Sequence, residues 1–145
     1  MKTPESISAN ILFLTGLITN RLTYSINRSF REAEIDITLE QFSILTLLWY
    51  KEGRNQQELA NELSRDKTTV TRTLKNMFGK NLLVKVPDKT DRRNNLIYLT
   101  NKGKELQERC IRITGNYYVR ALDNLSEPEV DYAIVALNKI LSNIS

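Results

Sequence analysis

Histidine is absent from this chain, and with it the commonest protein metal ligand and the commonest general base. The single cysteine, Cys110, rules out an intrachain disulfide and fits a reducing compartment. Glycine and proline are scarce, five and three among 145 residues, so long regular elements are expected. No apolar run approaches the roughly 20 residues of a membrane span. The opening MKTPESIS lacks the pattern of a secretory signal. A cytoplasmic protein with no membrane partner is therefore expected. Gly-rich phosphate loops, internal repeats and low-complexity tracts are also missing. No nucleophile–base pair, Cys/His cluster or supported carboxylate dyad stands out, so an enzyme would have no residues to work with. No catalytic residue, cofactor or metal is expected. The length suits one domain, 1–145, with a real core.

What the chain has is one strongly basic block. Arg65, Lys67, Arg72, Lys75, Lys80, Lys85, Lys89, Arg92, Arg93, Lys102 and Lys104 face only Asp66, Asp88 and Asp91, eleven cations against three acids and a net of +8. The remaining residues hold ten basic and fourteen acidic side chains, a net of −4, so the total of +4 conceals the block. A local positive field of this kind suits a phosphate backbone, where each contact releases a condensed counterion. A solvated basic face is the plainer alternative.

Periodicity supplies the frame. From Ser6 to about Ala33, apolar residues fall at Ile7, Ile11, Leu14, Ile18, Leu22, Ile26 and Phe30, in steps of three or four. That spacing predicts a long amphipathic helix, widened by Phe13, Leu17 and Tyr24. It is longer than the core of so small a domain requires, so its surplus face is expected to meet a second subunit. After a linker, Glu34–Ile37, Thr38 and Gln41 form a capping box. The helix it starts runs through Leu39, Phe42, Leu45 and Leu48 to about Tyr50, and Gly53 closes the turn. Trp49 and Tyr50 read as core or rim packing rather than a ligand site. Asn55 and Glu58 cap a short helix, Gln56 to Leu63, burying Leu59, Ala60 and Leu63. The small Ala60 permits the close crossing that a helix-turn-helix needs.

Asp66 then caps a helix from Lys67 to Lys80. At about 100° per residue, Val70, Leu74 and Met77 share one face, with Thr73 at its border. Thr68, Arg72, Lys75 and Gly79 lie opposite, with Thr71 at the edge. Threonine is a mediocre helix former, so Thr68, Thr69, Thr71 and Thr73 together call for another reason. Short hydroxyls let a helix sit deep in a DNA major groove, and Arg72 is long enough to reach a guanine bidentately. A threonine-rich solvated helix is the alternative.

Asn81 stands where a left-handed residue would end that helix. Leu82–Val86 is a predicted strand, 87–93 the turn and Asn95–Leu99 the return strand, with Leu96 and Tyr98 on one face and Ile97 and Leu99 on the other. The tip holds Lys89, Asp91, Arg92 and Arg93. Such a hairpin can lay an arginine in the minor groove, braced by Asp91; a local salt bridge is the alternative. Thr100 caps the next helix, to about Leu122, with an apolar stripe at Leu106, Cys110, Ile113, Tyr117 and Ala121. Ser126 and Glu129 cap the last, with Pro128 tolerated in its first turn. Its near-heptad seam of Val130, Ile134, Leu137, Leu141 and Ile144 points to subunit packing.

These residues resemble the MarR family of transcription regulators. The carriers are Leu39-x-x-Phe42-x-x-Leu45, Gln57-Glu58-Leu59-Ala60, Asp66-Lys67-Thr68-Thr69-Val70-Thr71-Arg72, Asp91-Arg92-Arg93 and Leu99-Thr100-Asn101-Lys102-Gly103, in order and at the family's spacing over about 39–104. The resemblance implies a mainly α fold with a small β-hairpin wing. Its winged helix-turn-helix, about 38–100, would be flanked by dimerisation helices at 6–33 and 101–144. It implies a homodimer on a palindromic double-stranded operator, usually repressing. Base contacts would fall at Thr68, Thr69 and Arg72, with Arg93 in the wing held by Asp91. The whole expected DNA-contacting set is Lys67, Thr68, Thr69, Thr71, Arg72 and Lys75 on the helix, and Lys89, Asp91, Arg92 and Arg93 on the wing. Many members release DNA on binding a small aromatic or phenolic effector. Others sense oxidation through a cysteine near the N-terminus; here the only cysteine is Cys110, expected to be packing. Asn81 replaces the usual glycine, and the lack of histidine argues against a metal-responsive member. The competing reading is a winged-helix module that binds protein instead of DNA.

Overall fold

Helix caps set the boundaries of this molecule. The structure, a computed structural model, describes Ser6 and residues 9–145. Its elements are α1 (Ile11–Glu32), α2 (Leu39–Tyr50), α3 (Gln56–Glu62), α4 (Lys67–Gly79), β1 (Leu83–Pro87), β2 (Asn95–Leu99), α5 (Asn101–Ala121) and α6 (Glu127–Ile144). The mainly α architecture with a two-stranded antiparallel wing is as expected from the sequence. The chain divides into two compact units, one ending at Ile113 and the other running from Thr114 to Ser145.

In the first unit, Asn10 caps α1 by accepting from the Phe13 N–H, so the helix starts later than the apolar spacing from Ser6 predicts. Ile7 lies outside the described residues. Only the last turns of α1 reach the unit's core, through Ile26 and Phe30; the Phe30 ring meets Phe42 edge-on at 5.5 Å. Ile11, Leu12, Phe13, Leu14 and Ile18 remain exposed. The expected capping boxes close both α2 (Thr38 with Gln41) and α3 (Asn55 with Glu58). Buried Ile44, Leu45, Leu48, Leu59, Ala60, Val70, Leu74 and Met77 then join α2, α3 and α4 around one core. Trp49, 39% exposed, sits at the rim, while Tyr50 departs from a packing role. Both are exposed, Tyr50 at 83%, because the helix ends there and turns them away from the Ile44–Leu48 face.

Three helices end in the same device. The N–H two residues past the cap bonds back five residues, and the N–H before it bonds back three, around a residue with positive φ. At α1 that residue is Glu34 (φ 54°), at α3 Ser64 (φ 50°) and at α4 Asn81 (φ 58°). Asn81 fulfils the sequence expectation; Ser64 forms the sharp turn between α3 and α4.

The hairpin pairs Leu83 with Leu99 through Pro87 with Asn95. β1 thus lies one residue later than predicted. Leu82 is held in the α4 terminus by its N–H to the Met77 carbonyl, and Pro87 joins the strand at its end. A single bridge from Arg54 to Ile97 extends the sheet beyond β2, which strand patterning did not reveal. Thr100 caps α5 by accepting from the Gly103 N–H, and its own hydroxyl donates to the Asn81 carbonyl at 2.7 Å. Gly103 passes against Leu82, where a Cβ would sit 2.2 Å from the carbonyl oxygen.

Of the expected stripe on α5, Cys110 is buried and the rest lies to one side of the buried line. That line runs Gly103, Gln107, Cys110 and Thr114, while Leu106, Ile113 and Tyr117 are half-buried and Ala121 exposed. Polar side chains occupy this inner face: the Gln107 amide donates to Thr46 at 3.0 Å, so apolar spacing points one residue away from it. In the second unit, the Glu129 carboxylate accepts from the Ser126 N–H and hydroxyl at the start of α6. No residue of α6 is buried; Ile134, Leu137, Leu141 and Ile144 are exposed, and Val130 is half-buried.

Candidate nucleic-acid interface

The helix-turn-helix is built from α3, the Leu63–Asp66 connection and α4, with the hairpin following directly. Asp66 starts α4. Its carboxylate accepts from the Thr69 hydroxyl at 2.6 Å and the Thr69 N–H at 2.8 Å. Those two bonds hold the carboxyl below the usual carboxylate range. Val70, Leu74 and Met77 anchor the inner face as expected.

Polar contacts then fix the helix from α2 and the chain before it. Glu40 accepts from the Thr73 hydroxyl at 2.5 Å, the buried Gln41 amide donates to Asn76 at 2.7 Å, and Lys80 bonds the Asp36 carbonyl and carboxylate at 2.6 and 3.0 Å. From the sequence, Gln41 is expected only as a cap, and Asp36 and Glu40 carry no expected role. Nothing in their spacing reveals partners more than thirty residues away.

The outer face carries Lys67, Thr68, Arg72 and Lys75, all exposed, with Thr71 exposed and Thr69 half-buried. The four threonines are not equivalent. Thr69 and Thr73 donate to Asp66 and Glu40, and Thr71 donates to the Lys67 carbonyl at 2.7 Å while accepting from the Gln56 amide. Local scaffolding therefore accounts for three of them. Thr68 keeps a hydroxyl with no partner among the described residues.

In the wing, the loop between the strands is 88–94. Asp88 accepts from the N–H and hydroxyl of Thr90, both at 2.9 Å, and these bonds lower its pKa. Asp91 accepts from the backbone N–H of Arg93 at 3.1 Å. The expected brace thus acts on the Arg93 main chain, and Asp91 forms no ion pair with a guanidinium among the described residues. Lys89, Asp91, Arg92 and Arg93 are exposed.

The charge accounting is one-sided. Lys80 and Lys104 pair with Asp36 and Glu52, Lys85 lies over the Phe78 ring at 4.8 Å and Lys102 bonds the Lys80 carbonyl. Arg65, Lys67, Arg72, Lys75, Lys89, Arg92 and Arg93 form no ion pair among the described residues. The block's three acids are tied to local donors, Asp66 and Asp88 to an N–H and a hydroxyl and Asp91 to an N–H. Exposed cations on one helix face and on the neighbouring hairpin tip thus have no neutralising partner among the described residues. Cys110 is fully buried, and burial pushes its thiol up to about 11, far from a reactive thiolate. No cluster of His, Cys, Asp or Glu that could hold a metal occurs among the described residues.

Comparison with known proteins gives the following. The model of the MarR family matches residues 37–94. A SlyA-like transcription regulator from Listeria monocytogenes is 30% identical, with a TM-score of 0.81 over 93% of this chain and 89% of that one. A MarR variant from E. coli, solved in complex with operator DNA, is 26% identical with a TM-score of 0.75, covering 88% and 91% of the two chains. The HTH-type transcriptional regulator YybA of Bacillus subtilis is 26% identical over 136 residues, 93% of this chain and 89% of that one.

Proposed function

This chain belongs to the MarR family of transcription regulators, and from that premise we propose that it is a sequence-specific DNA-binding repressor. It acts as a homodimer on a palindromic operator and is released by a small aromatic or phenolic effector. The observation that carries the DNA reading is the set of exposed cations on α4 and the wing whose neighbouring acids are tied to local N–H and hydroxyl donors. Bound operator DNA in the MarR relative supports the same use of the fold here.

In this reading α4 enters the major groove. Arg72 takes a guanine through its two parallel N–H groups, and Thr68 and Thr69 lie against neighbouring base edges or thymine methyls. Lys67 and Lys75 hold the flanking backbone, and Thr71 supports the reading face from its edge through its bonds to the Lys67 carbonyl and the Gln56 amide. The wing tip, with Lys89, Arg92 and Arg93, follows the strand into the minor groove, and Asp91 shapes the loop that presents Arg93. Dimerisation is supported by two apolar surfaces, each left open in its own unit: the α1 residues Ile11, Leu12, Phe13, Leu14 and Ile18, and the α6 residues Ile134, Leu137, Leu141 and Ile144. Apolar surface of this kind marks an interaction face, and a two-fold dimer dictates a palindromic site. The effector and the repressing sign follow from the family resemblance.

Two substitutions test the surface. Arg72→Ala should weaken operator binding by about 1–3 kcal/mol and relax specificity at one position per half-site. Lys89→Ala should weaken all sequences alike and reduce the salt slope by about one unit per lost contact. Unchanged DNA affinity in both variants would show that this face does not read DNA.

A further inference from the structure

Gln56 is the first residue of α3, outside the recognition helix, and no sequence argument assigns it a function. The N-terminus of α3 is closed by its own box, with Asn55 accepting from the Glu58 N–H and Glu58 accepting from the Asn55 N–H. What matters is the Gln56 side chain, which bonds Thr71 on α4.

The direction of that bond follows from hydrogen-bond accounting. A threonine hydroxyl has one proton. Thr71 places its proton on the Lys67 carbonyl, 2.7 Å away, so toward Gln56 it can only accept. The Gln56 amide must therefore turn its NH2 group toward Thr71, which fixes an O/N orientation that is otherwise ambiguous. One N–H is then occupied, while the carbonyl oxygen and the second N–H have no partner in the described chain. An amide in this state offers one acceptor beside one donor. That is the pattern with which glutamine reads adenine, donating to N7 and accepting from the N6 amino group in the major groove. The chain Gln56–Thr71–Lys67 ties the amide to the same helix that carries Thr68 and Arg72, so its position is set by α4 and not by a free rotamer.

We propose that Gln56 is a specificity-determining residue, reading one A·T pair in each half-site from the amide clamped by Thr71. This rests on the DNA-binding reading above. The side chain is neutral, so it contributes discrimination without counterion release.

The test is selection of binding sites by the full chain from a duplex library with a randomised window, for the wild type, Gln56→Ala, Gln56→Glu and Thr71→Val. The wild type should recover a motif with one demanded A·T pair per half-site that Gln56→Ala no longer demands. Discrimination at that pair should fall about five- to hundred-fold, with the other positions and the salt slope unchanged. Gln56→Glu, which can only accept, should shift the same position toward C·G. Thr71→Val should broaden that position without changing the preferred base. An unchanged motif in Gln56→Ala overturns the proposal, as does uniform weakening of all sequences, which would mark a backbone contact. Failure of the underlying reading looks different: the wild type itself would recover no motif.

Discussion

Gly103 shows how a single residue fixes where two elements meet. Any side chain there would press into the Leu82 carbonyl, which is backbone and is already occupied by the Thr100 N–H at 3.0 Å. Gly103→Ala should therefore destabilise the fold by about 1–3 kcal/mol, the usual range for overpacking. Urea denaturation followed by circular dichroism measures this; wild-type stability in the variant would mean that α5 can shift away from α4 without cost. The glycine was visible in the sequence as part of a family pattern, but its reason was not, because the approach of Leu82 depends on the terminus of α4. Asn81 is the opposite case, since its place after a helical stripe predicted a left-handed φ from local chemistry alone. The α4 threonines lie between the two. Their spacing pointed to a groove, while the bonds of Thr69, Thr71 and Thr73 to Asp66, Lys67 and Glu40 give them structural tasks as well.

At the level of elements, α4 depends on its cap. Asp66 has a folded-state pKa below its ordinary value, so its charged form is favoured by folding. The stabilisation is present above the ordinary carboxylate range and is lost as pH falls through the lowered value. Asp66→Asn keeps an oxygen acceptor for the Thr69 N–H but cannot titrate. Acid unfolding should therefore separate the two proteins in that window: wild-type stability declines as Asp66 protonates, and the variant lacks that component. Parallel acid profiles would show that Asp66 gains nothing from its charge at the helix start. Local rules of this kind explain why α2, α3, α4 and β2 were legible nearly to the residue. The ends of α5 were equally legible, but its buried face was not, because Gln107 on that face depends on Thr46 in another helix. The wing shows the same limit. Its basic tip is plain in the sequence, yet the Asp91 brace falls on the Arg93 main chain because loop 88–94 closes on itself through Asp88, Asp91 and Asn94.

For the whole molecule, open apolar helix faces and unpaired cations make separate claims. The first is assembly. Replacing Leu141 with Asp places a charge on the exposed α6 seam, where a monomer would tolerate it and a packed interface would not. Sedimentation equilibrium should give a dimer for the wild type and a shift toward monomer for Leu141→Asp. Identical masses for the two proteins would exclude α6 from the interface.

The second claim is the central one, that α4 and the wing read a defined DNA sequence. Fluorescence anisotropy addresses it directly, using labelled duplex from the region upstream of the protein's own gene, scrambled duplex as control, and a salt series. The account predicts tighter binding to the upstream duplex, one dimer per palindrome, and affinity that falls steeply with salt as phosphate contacts release counterions. No binding to either duplex at low salt would contradict it, and the exposed cations of α4 and the wing would then have to serve an acidic protein partner.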